Sequence, residues 1–184
     1  MLVAFTGPQS SGKSTLITEF KNWVELKGLD FNFKPSATRL LKAKGYTINN
    51  IGYNFDVTQI EVILSHINNI IDYKLKGGNV ILDRCILDGV VYTNYFFKQG
   101  KVCSTVMDAA NYAIENYYSK YDRVFYLDTV GVPLVDDKER STDNSFRNDI
   151  IEIFNSYMQK YNTVMVSGSI EQRLEQIVKN LNCG

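Results

Sequence analysis

The run Gly7-Pro8-Gln9-Ser10-Ser11-Gly12-Lys13-Ser14 constrains this chain more than any other stretch. It fits G-x-x-x-x-G-K-[ST]. It also lies between an apolar run, Leu2 to Thr6, and a segment of helical period, Ser14 to Lys27, with Leu16, Ile17, Phe20, Trp23 and Val24 along one stripe. A strand that passes through a glycine-rich turn into a helix N-terminus holds an anion with little side-chain bulk. Backbone amides wrap the anion, the helix start adds positive potential, and the glycines allow close approach. A chance Gly/Ser-rich turn would lack these two flanks. The motif predicts that Gly7, Pro8, Gln9, Ser10, Ser11, Gly12, Lys13, Ser14 and Thr15 surround the phosphates of ATP. Lys13 would reach the β- and γ-phosphates and the Ser14 hydroxyl would ligate Mg²⁺.

The rest of the chain repeats the alternation of short apolar runs with helical segments, the pattern of a parallel sheet covered by helices. Phe31 to Phe33 reads as a short strand, and Thr38 to Lys44 as a short helix stopped by Gly45. Tyr46 to Phe55 reads as loop. Asp56 with Gln59 has the form of an N-cap and capping box. Ile60, Ile63, Leu64, Ile67, Ile70 and Ile71 follow at helical spacing up to Gly77-Gly78. Val80 to Leu82 is the next strand. Helices over Ile86 to Lys98 and Ser104 to Lys120 flank Gly100, and Val124 to Leu127 is a further strand. A polar loop, Asp128 to Thr142, leads to a helix beginning near Asp143. Thr163 to Val166 is the last strand, and Ser169 with Gln172 caps a terminal helix through Leu181. Without repeats or low-complexity linkers, residues 1–184 read as one α/β domain on a five-stranded parallel sheet, with a lid segment around residues 128–147.

Asp83-Arg84 ends the Val80 to Leu82 run. In an open parallel sheet ligands bind beyond the carboxyl ends of the strands, so both residues should face the crevice of the phosphate loop. Asp83 is thereby a candidate for Mg²⁺ or for proton acceptance, and Arg84 for holding a phosphate or the acceptor. The plainer alternative is that Asp83 caps the next helix and Arg84 is a surface residue. Asp88 and Tyr92, four and eight residues beyond Arg84, share a helical face and are candidates to line an acceptor pocket, although packing explains Tyr92 equally well. In Asp136-Asp137-Lys138-Glu139-Arg140-Ser141-Thr142-Asp143, Arg140, together with Arg147 beyond it, is a candidate to close over a transferring phosphate. Asp136 and Asp137 read as solvated. Among Lys34, Arg39, Lys42 and Lys44, Arg39 is the candidate for an anionic acceptor. His66, beside the apolar stripe of its helix, reads as structural.

Composition removes competing classes. A length of 184 residues is enough to bury roughly 70% of the unfolded surface around one core. Twenty basic residues balance twenty acidic ones, so there is no overall positive field of the kind that holds nucleic acid or an anionic membrane. Three cysteines without a CxxC, and one histidine, argue against disulfide scaffolds and zinc sites. With no leader-like N-terminus and no apolar run near the ~18 residues of a membrane span, the expectation is a cytoplasmic protein. The Asn-, Lys-, Ile- and Tyr-rich usage would suit an AT-rich genome such as a bacteriophage's, which would place it in a host cytoplasm.

The stretches FTGPQSSGKSTL, ILDRCILDGVVYT and YDRVFYLDTVGVPLVDDKERSTDNSFRNDI resemble small P-loop proteins typified by the ribosylnicotinamide-kinase domain of the bacterial NAD-biosynthesis regulator. More distantly they resemble the deoxynucleoside and thymidylate kinases. The resemblance spans nearly the whole chain and implies a three-layer P-loop NTPase fold. It implies Gly12, Lys13 and Ser14 as nucleotide and Mg²⁺ contacts, Asp83 and Arg84 as active-site groups, and Arg140 and Arg147 as lid residues. One departure stands out. Such kinases often carry Glu-x-x-x-Arg after the second strand. The stretch here is Lys34-Pro35-Ser36-Ala37-Thr38-Arg39, so the arginine is kept and the acid is missing. The general-base role then shifts to Asp83.

The function expected is ATP- and Mg²⁺-dependent phosphoryl transfer to a nucleoside or nucleotide, including a deoxynucleoside monophosphate. Two alternatives stand beside it: a kinase acting on a hydroxymethylated base in DNA, which neutrality disfavours, and an ATPase or switch acting on a protein partner. A homodimer is left open.

Overall fold

The computed structural model describes residues 1–46, 54–130 and 144–181. The chain runs β1 (Leu2–Thr6), α1 (Lys13–Leu26), β2 (Asn32–Lys34), α2 (Ala37–Ala43), α3 (Phe55–Lys76), β3 (Val80–Asp83), α4 (Ile86–Lys98) and α5 (Ser104–Tyr117). It continues through a 3₁₀ turn (Tyr118–Lys120) to β4 (Arg123–Leu127), α6 (Asn144–Met158), β5 (Val164–Val166) and α7 (Ile170–Leu181). All strand pairings are parallel, in the order β2-β3-β1-β4-β5. β1 is therefore the middle strand, and the turn that leaves it opens between its two neighbours, where ligands of open parallel sheets sit.

The alternation of β1 explains the layers. Val3 and Phe5, with Ile81, Phe125, Leu127 and Val166, pack on Leu16, Phe20 and Val24 of α1 and on Ile177 and Leu181 of α7. Phe5 stacks on Phe125 at 5.7 Å and tilts against Phe20 at 5.9 Å. Leu2, Ala4, Val80, Leu82, Val124 and Tyr126 point the other way, into a cluster with side chains of α3, α4, α5 and α6. Burying each large apolar side chain contributes about 1.5–3 kcal/mol, and both faces of the sheet are covered this way. Among the described residues no helix is long and apolar enough to cross a membrane.

One local expectation changes and one plainer alternative falls away. The N-cap of α3 is Asn54, whose side chain accepts from the Val57 amide at 3.2 Å, and not Asp56. Asp56 lies inside the first turn, and its Oδ1 accepts from the Cys103 amide at 2.8 Å, so it joins α3 to the start of α5. The alternative that Asp83 caps the next helix fails: α4 is capped at Cys85, and Asp83 belongs to β3. At α7 the expected box is present: the Ser169 amide donates to Gln172 Oε1 at 2.9 Å and the Gln172 amide donates to Ser169 Oγ at 3.3 Å.

Candidate active site

After Thr6 the chain turns at Gly7 with φ 140°, where a Cβ would lie 2.9 Å from the Leu127 carbonyl oxygen; only glycine fits so close to β4. Ser10 (φ 54°) and Gly12 (φ 81°) are left-handed, and a turn of this kind directs successive amides toward one concavity. Gly12 caps α1, whose first turn carries no acid, so the positive potential of the helix start is not offset locally. Lys13 is buried and lies across the loop, its Nζ donating to Gly7 O at 2.7 Å, Pro8 O at 2.8 Å and Ser11 Oγ at 2.9 Å. Gln9 and Ser11 are buried, whereas Ser14 and Thr15 are exposed on the first turn of α1.

One loop contact was invisible to motif reading. Arg173 of α7 is 1% exposed and reaches the loop from behind, Nη1 donating to Ser11 O at 2.8 Å. Its Nη2 donates to Asp128 O and its Nε to Gly168 O, both at 2.9 Å. Burial pulls its pKa below the ordinary arginine value, with Asp128 opposing. The available signal was spacing: Arg173, Ile177 and Leu181 lie four apart on the buried stripe of α7, an odd place for an arginine without a partner.

Beside the loop, β3 delivers Asp83 in register with Phe5. Arg84 then adopts φ 77°, a left-handed conformation that costs a non-glycine residue about 1 kcal/mol or more, and donates its amide to Phe5 O at 2.9 Å. Its guanidinium is held by Asp88 Oδ1 at 2.7 Å and lies 5.4 Å from the Tyr92 ring centre. Asp88 is only 2% exposed, so it does not line an open pocket. Its Oδ2 accepts from the Thr6 hydroxyl at 2.7 Å and the Cys85 amide at 3.0 Å, fastening β1, the turn and α4 together. Burial would lower the Arg84 pKa, but Tyr92, Asp88 and Asp83 outweigh it and raise it, so the charge is permanent. Burial, reinforced by Asp88, pushes the Cys85 thiol up and leaves it protonated. Buried His66 packs from α3 against Gly89; burial first, then Arg84, lowers its pKa to about 4 against the pull of Asp88. It is neutral near pH 7.

Arg39 of α2 closes the group. Its Nη2 donates to Ser14 Oγ at 2.9 Å and its Nη1 lies 3.7 Å from Asp83 Oδ2, with the side chain 55% exposed. A cationic group thus already lies between the hydroxyl and the carboxylate expected to take Mg²⁺, and two hard oxygen donors suit an ion that keeps most of its other ligands as water and phosphate. The donor set fits magnesium. Among the described residues no cluster of three or more His, Cys, Asp or Glu forms a metal cage.

The sequence matches the AAA domain family over residues 2–173, from the first strand to the arginine behind the loop. The chain belongs to that family. No curated protein matches this AAA domain. Among solved structures, the deoxyadenosine kinase from M. mycoides with bound dATP is similar, with a TM-score of 0.66 and 17% identity over 99% of this chain and 100% of that one. The same kinase with bound dCTP gives 0.66 and 17%, and with the products dCMP and a flexible dCDP 0.62 and 16%, each over 100% of both chains. The likeness establishes the fold: this AAA domain has the α/β P-loop fold, on five parallel strands, that the deoxyadenosine kinase has. Of the two arginines expected to close over the phosphate, one lies among the described residues. Arg140, with Asp136 and Asp137, lies outside the described residues. Arg147 is 8% exposed on α6, beside Phe146, which packs at 4.7 Å against Tyr95 and 6.3 Å from Tyr92 of α4.

Proposed function

We propose that this AAA domain transfers the γ-phosphoryl group of ATP to a nucleoside or nucleotide. The observation that carries the reading is the convergence of Ser14, Asp83, Arg84 and Arg39 at the carboxyl ends of β1 and β3, with Lys13 across the loop between them. In such a transfer the bond from the γ-phosphorus to its bridging oxygen breaks, a new one forms to the acceptor oxygen, and ADP leaves. Catalysis is mostly positioning and charge neutralisation. The loop amides and Lys13 hold the triphosphate, Lys13 exchanging its loop carbonyls for phosphate oxygens. Arg84, rigid on Asp88, faces the transferring group, and Arg39 is the mobile cation for the acceptor. Ser14 and Asp83 are the residues that would hold Mg²⁺, which supplies further charge neutralisation when bound. That the M. mycoides kinase structures contain dATP, dCTP and dCMP supports a nucleotide-sized ligand.

The missing acid near Arg39 bears on the acceptor. A hydroxyl acceptor needs a base, and among the described residues Asp83 is the acid that contacts Arg39. If Asp83 serves the metal, a monophosphate acceptor, already ionised, removes the need for a base. We therefore favour a nucleoside monophosphate over a nucleoside. An ATP-consumption screen over nucleosides, their monophosphates and hydroxymethylated oligonucleotides tests this. Turnover with monophosphates is expected. Labelling of oligonucleotides alone, or ATP hydrolysis indifferent to any acceptor, would overturn it.

A further inference from the structure

We propose that Arg173 is a positioning residue for the nucleotide phosphates, acting through the Ser11–Gly12 peptide of the phosphate loop. The inference rests on the loop's binding of phosphates, shared with the reading above, but not on the acceptor or on transfer. Arg173 is the largest fully buried side chain among the described residues, and three of its N–H groups go to main-chain carbonyls of three separate segments, Ser11, Asp128 and Gly168. No carboxylate among the described residues forms an ion pair with it; the Asp128 carboxylate accepts the Val130 amide instead, at 3.2 Å. Asp128 attracts the guanidinium through space but makes no contact ion pair with it, so a buried cation rests on carbonyls alone, a costly arrangement in which the charge itself needs a purpose.

Geometry supplies one. The peptide group whose oxygen takes Nη1 is the group whose N–H belongs to Gly12, the cap of α1, and a Cβ at Gly12 would lie 3.7 Å from Nη1. A cationic donor on the oxygen of a peptide polarises its N–H, so the Gly12 amide becomes a stronger donor to an anion on the other side. Together with the bonds to Asp128 O and Gly168 O it fixes Ser11 against the end of β4 and the β5–α7 turn, which keeps the loop in its cradle shape without an anion's help. The polyphosphate, one peptide away, then adds to the counter-charge that Asp128 supplies from a distance. The planar fork matters, because three carbonyls in fixed directions match a guanidinium and not an ammonium.

The test uses the full chain, with Arg173→Met and Arg173→Lys beside wild type. Circular dichroism reports folding, and calorimetry measures the affinity for ATP and for inorganic tripolyphosphate, a probe with the charge and no base. In Arg173→Met both ligands should weaken by about tenfold or more and by the same factor, with a shallower salt dependence. Arg173→Lys, which keeps the charge and loses the fork, should fall between the two. In steady state the KM for ATP rises while the acceptor KM holds, a split that mere loosening of the fold would not give. Affinities within twofold of wild type in a folded Arg173→Met overturn the inference. If that variant does not fold, unchanged affinity in Arg173→Lys does so. Wild-type protein that binds both probes yet phosphorylates no acceptor would sink the kinase reading and leave this one standing.

Discussion

The phosphate loop and the β3–α4 turn leave adjacent strands and bring cations to the same crevice by opposite means. In the loop, left-handed backbone is carried mainly by glycine, and Lys13 rests on carbonyls and a hydroxyl that it can exchange for phosphate oxygens. In the turn, left-handed backbone is imposed on Arg84, and a buried carboxylate with three donors holds the guanidinium still. Triphosphate binding needs a cradle whose cation can be released. Stabilising charge that develops during transfer needs a cation that does not move, because preorganised groups pay no reorganisation at the moment of reaction. Strain is tolerated where it fixes a direction.

The largest expected effect breaks the first half of that contrast. Lys13→Ala should fold normally and lose turnover by roughly a hundred- to a thousandfold, read by ATP consumption alongside circular dichroism. Full activity in the folded variant would remove the loop from the chemistry. Asp88→Asn breaks the second half. It keeps the shape and leaves Arg84 without its counter-charge, at a cost of about 3 kcal/mol, or roughly 10 °C in melting temperature. Activity should fall with it, since Arg84 loses its direction. A melting temperature within a degree or two of wild type would show that Asp88 is not what holds the turn.

Acid should separate the two regions next. His66, packed beside the turn, has a folded pKa of about 4 against 6.5 in the unfolded chain, so between those values the unfolded state binds the extra proton. Its contribution is complete above about pH 6.5 and is lost as the pH falls to 4, a difference of about 3 kcal/mol. Unfolding free energies across that window should show the slope, and His66→Gln should flatten it. Hydrogen exchange should find α3 and α4 opening before α1. Equal opening would mean that the two sides share one stability.

What could be read from sequence follows the same division. Parallel strands buried on both faces leave apolar runs, so β1, β3 and β4 were found within a residue of their ends, and the loop announced itself because backbone conformation restricts residue choice at Gly7 and Gly12. β2, three residues at the sheet edge, shifted by one, since an edge strand has little burial to mark it. The sequence reads Asp56 as the cap of α3, and what draws Asp56 away, leaving Asn54 to cap, is its bond to the Cys103 amide, 47 residues away. Spacing put Asp88 on the face of Arg84 but not the Thr6 hydroxyl that turns it inward. Arg173 follows a correctly read capping box, and its spacing with Ile177 and Leu181 points inward, but only the tertiary arrival of Ser11, Asp128 and Gly168 shows what it holds.

The strain at Arg84 predicts a smaller effect. Replacing Arg84 by Gly or by Ala removes the guanidinium equally and leaves Asp88 equally alone, so their difference isolates the left-handed backbone. Arg84→Gly should be the more stable by about 1 kcal/mol, less the entropy glycine adds to the unfolded chain. Chemical denaturation of the pair measures it, and equal stabilities would show that the turn stores no strain.

Arg39 gives the smallest change and the sharpest contrast with Arg84. Its side chain is 55% exposed and its ion pair with Asp83 is long, so the pair contributes little to stability, in the range of exposed salt bridges. Its position between Ser14 and Asp83 nevertheless makes it a competitor for the oxygens that would hold Mg²⁺, and the same cation cannot hold an acceptor phosphate while it sits there. Arg39→Gln should therefore leave the melting temperature almost unchanged. It should lower the Mg²⁺ concentration that half-saturates turnover by a few-fold and raise the acceptor KM, opposite signs from one substitution. If both parameters move the same way, or neither moves, Arg39 is not shared between metal site and acceptor, and the contrast between a pinned and a mobile arginine fails at its mobile end.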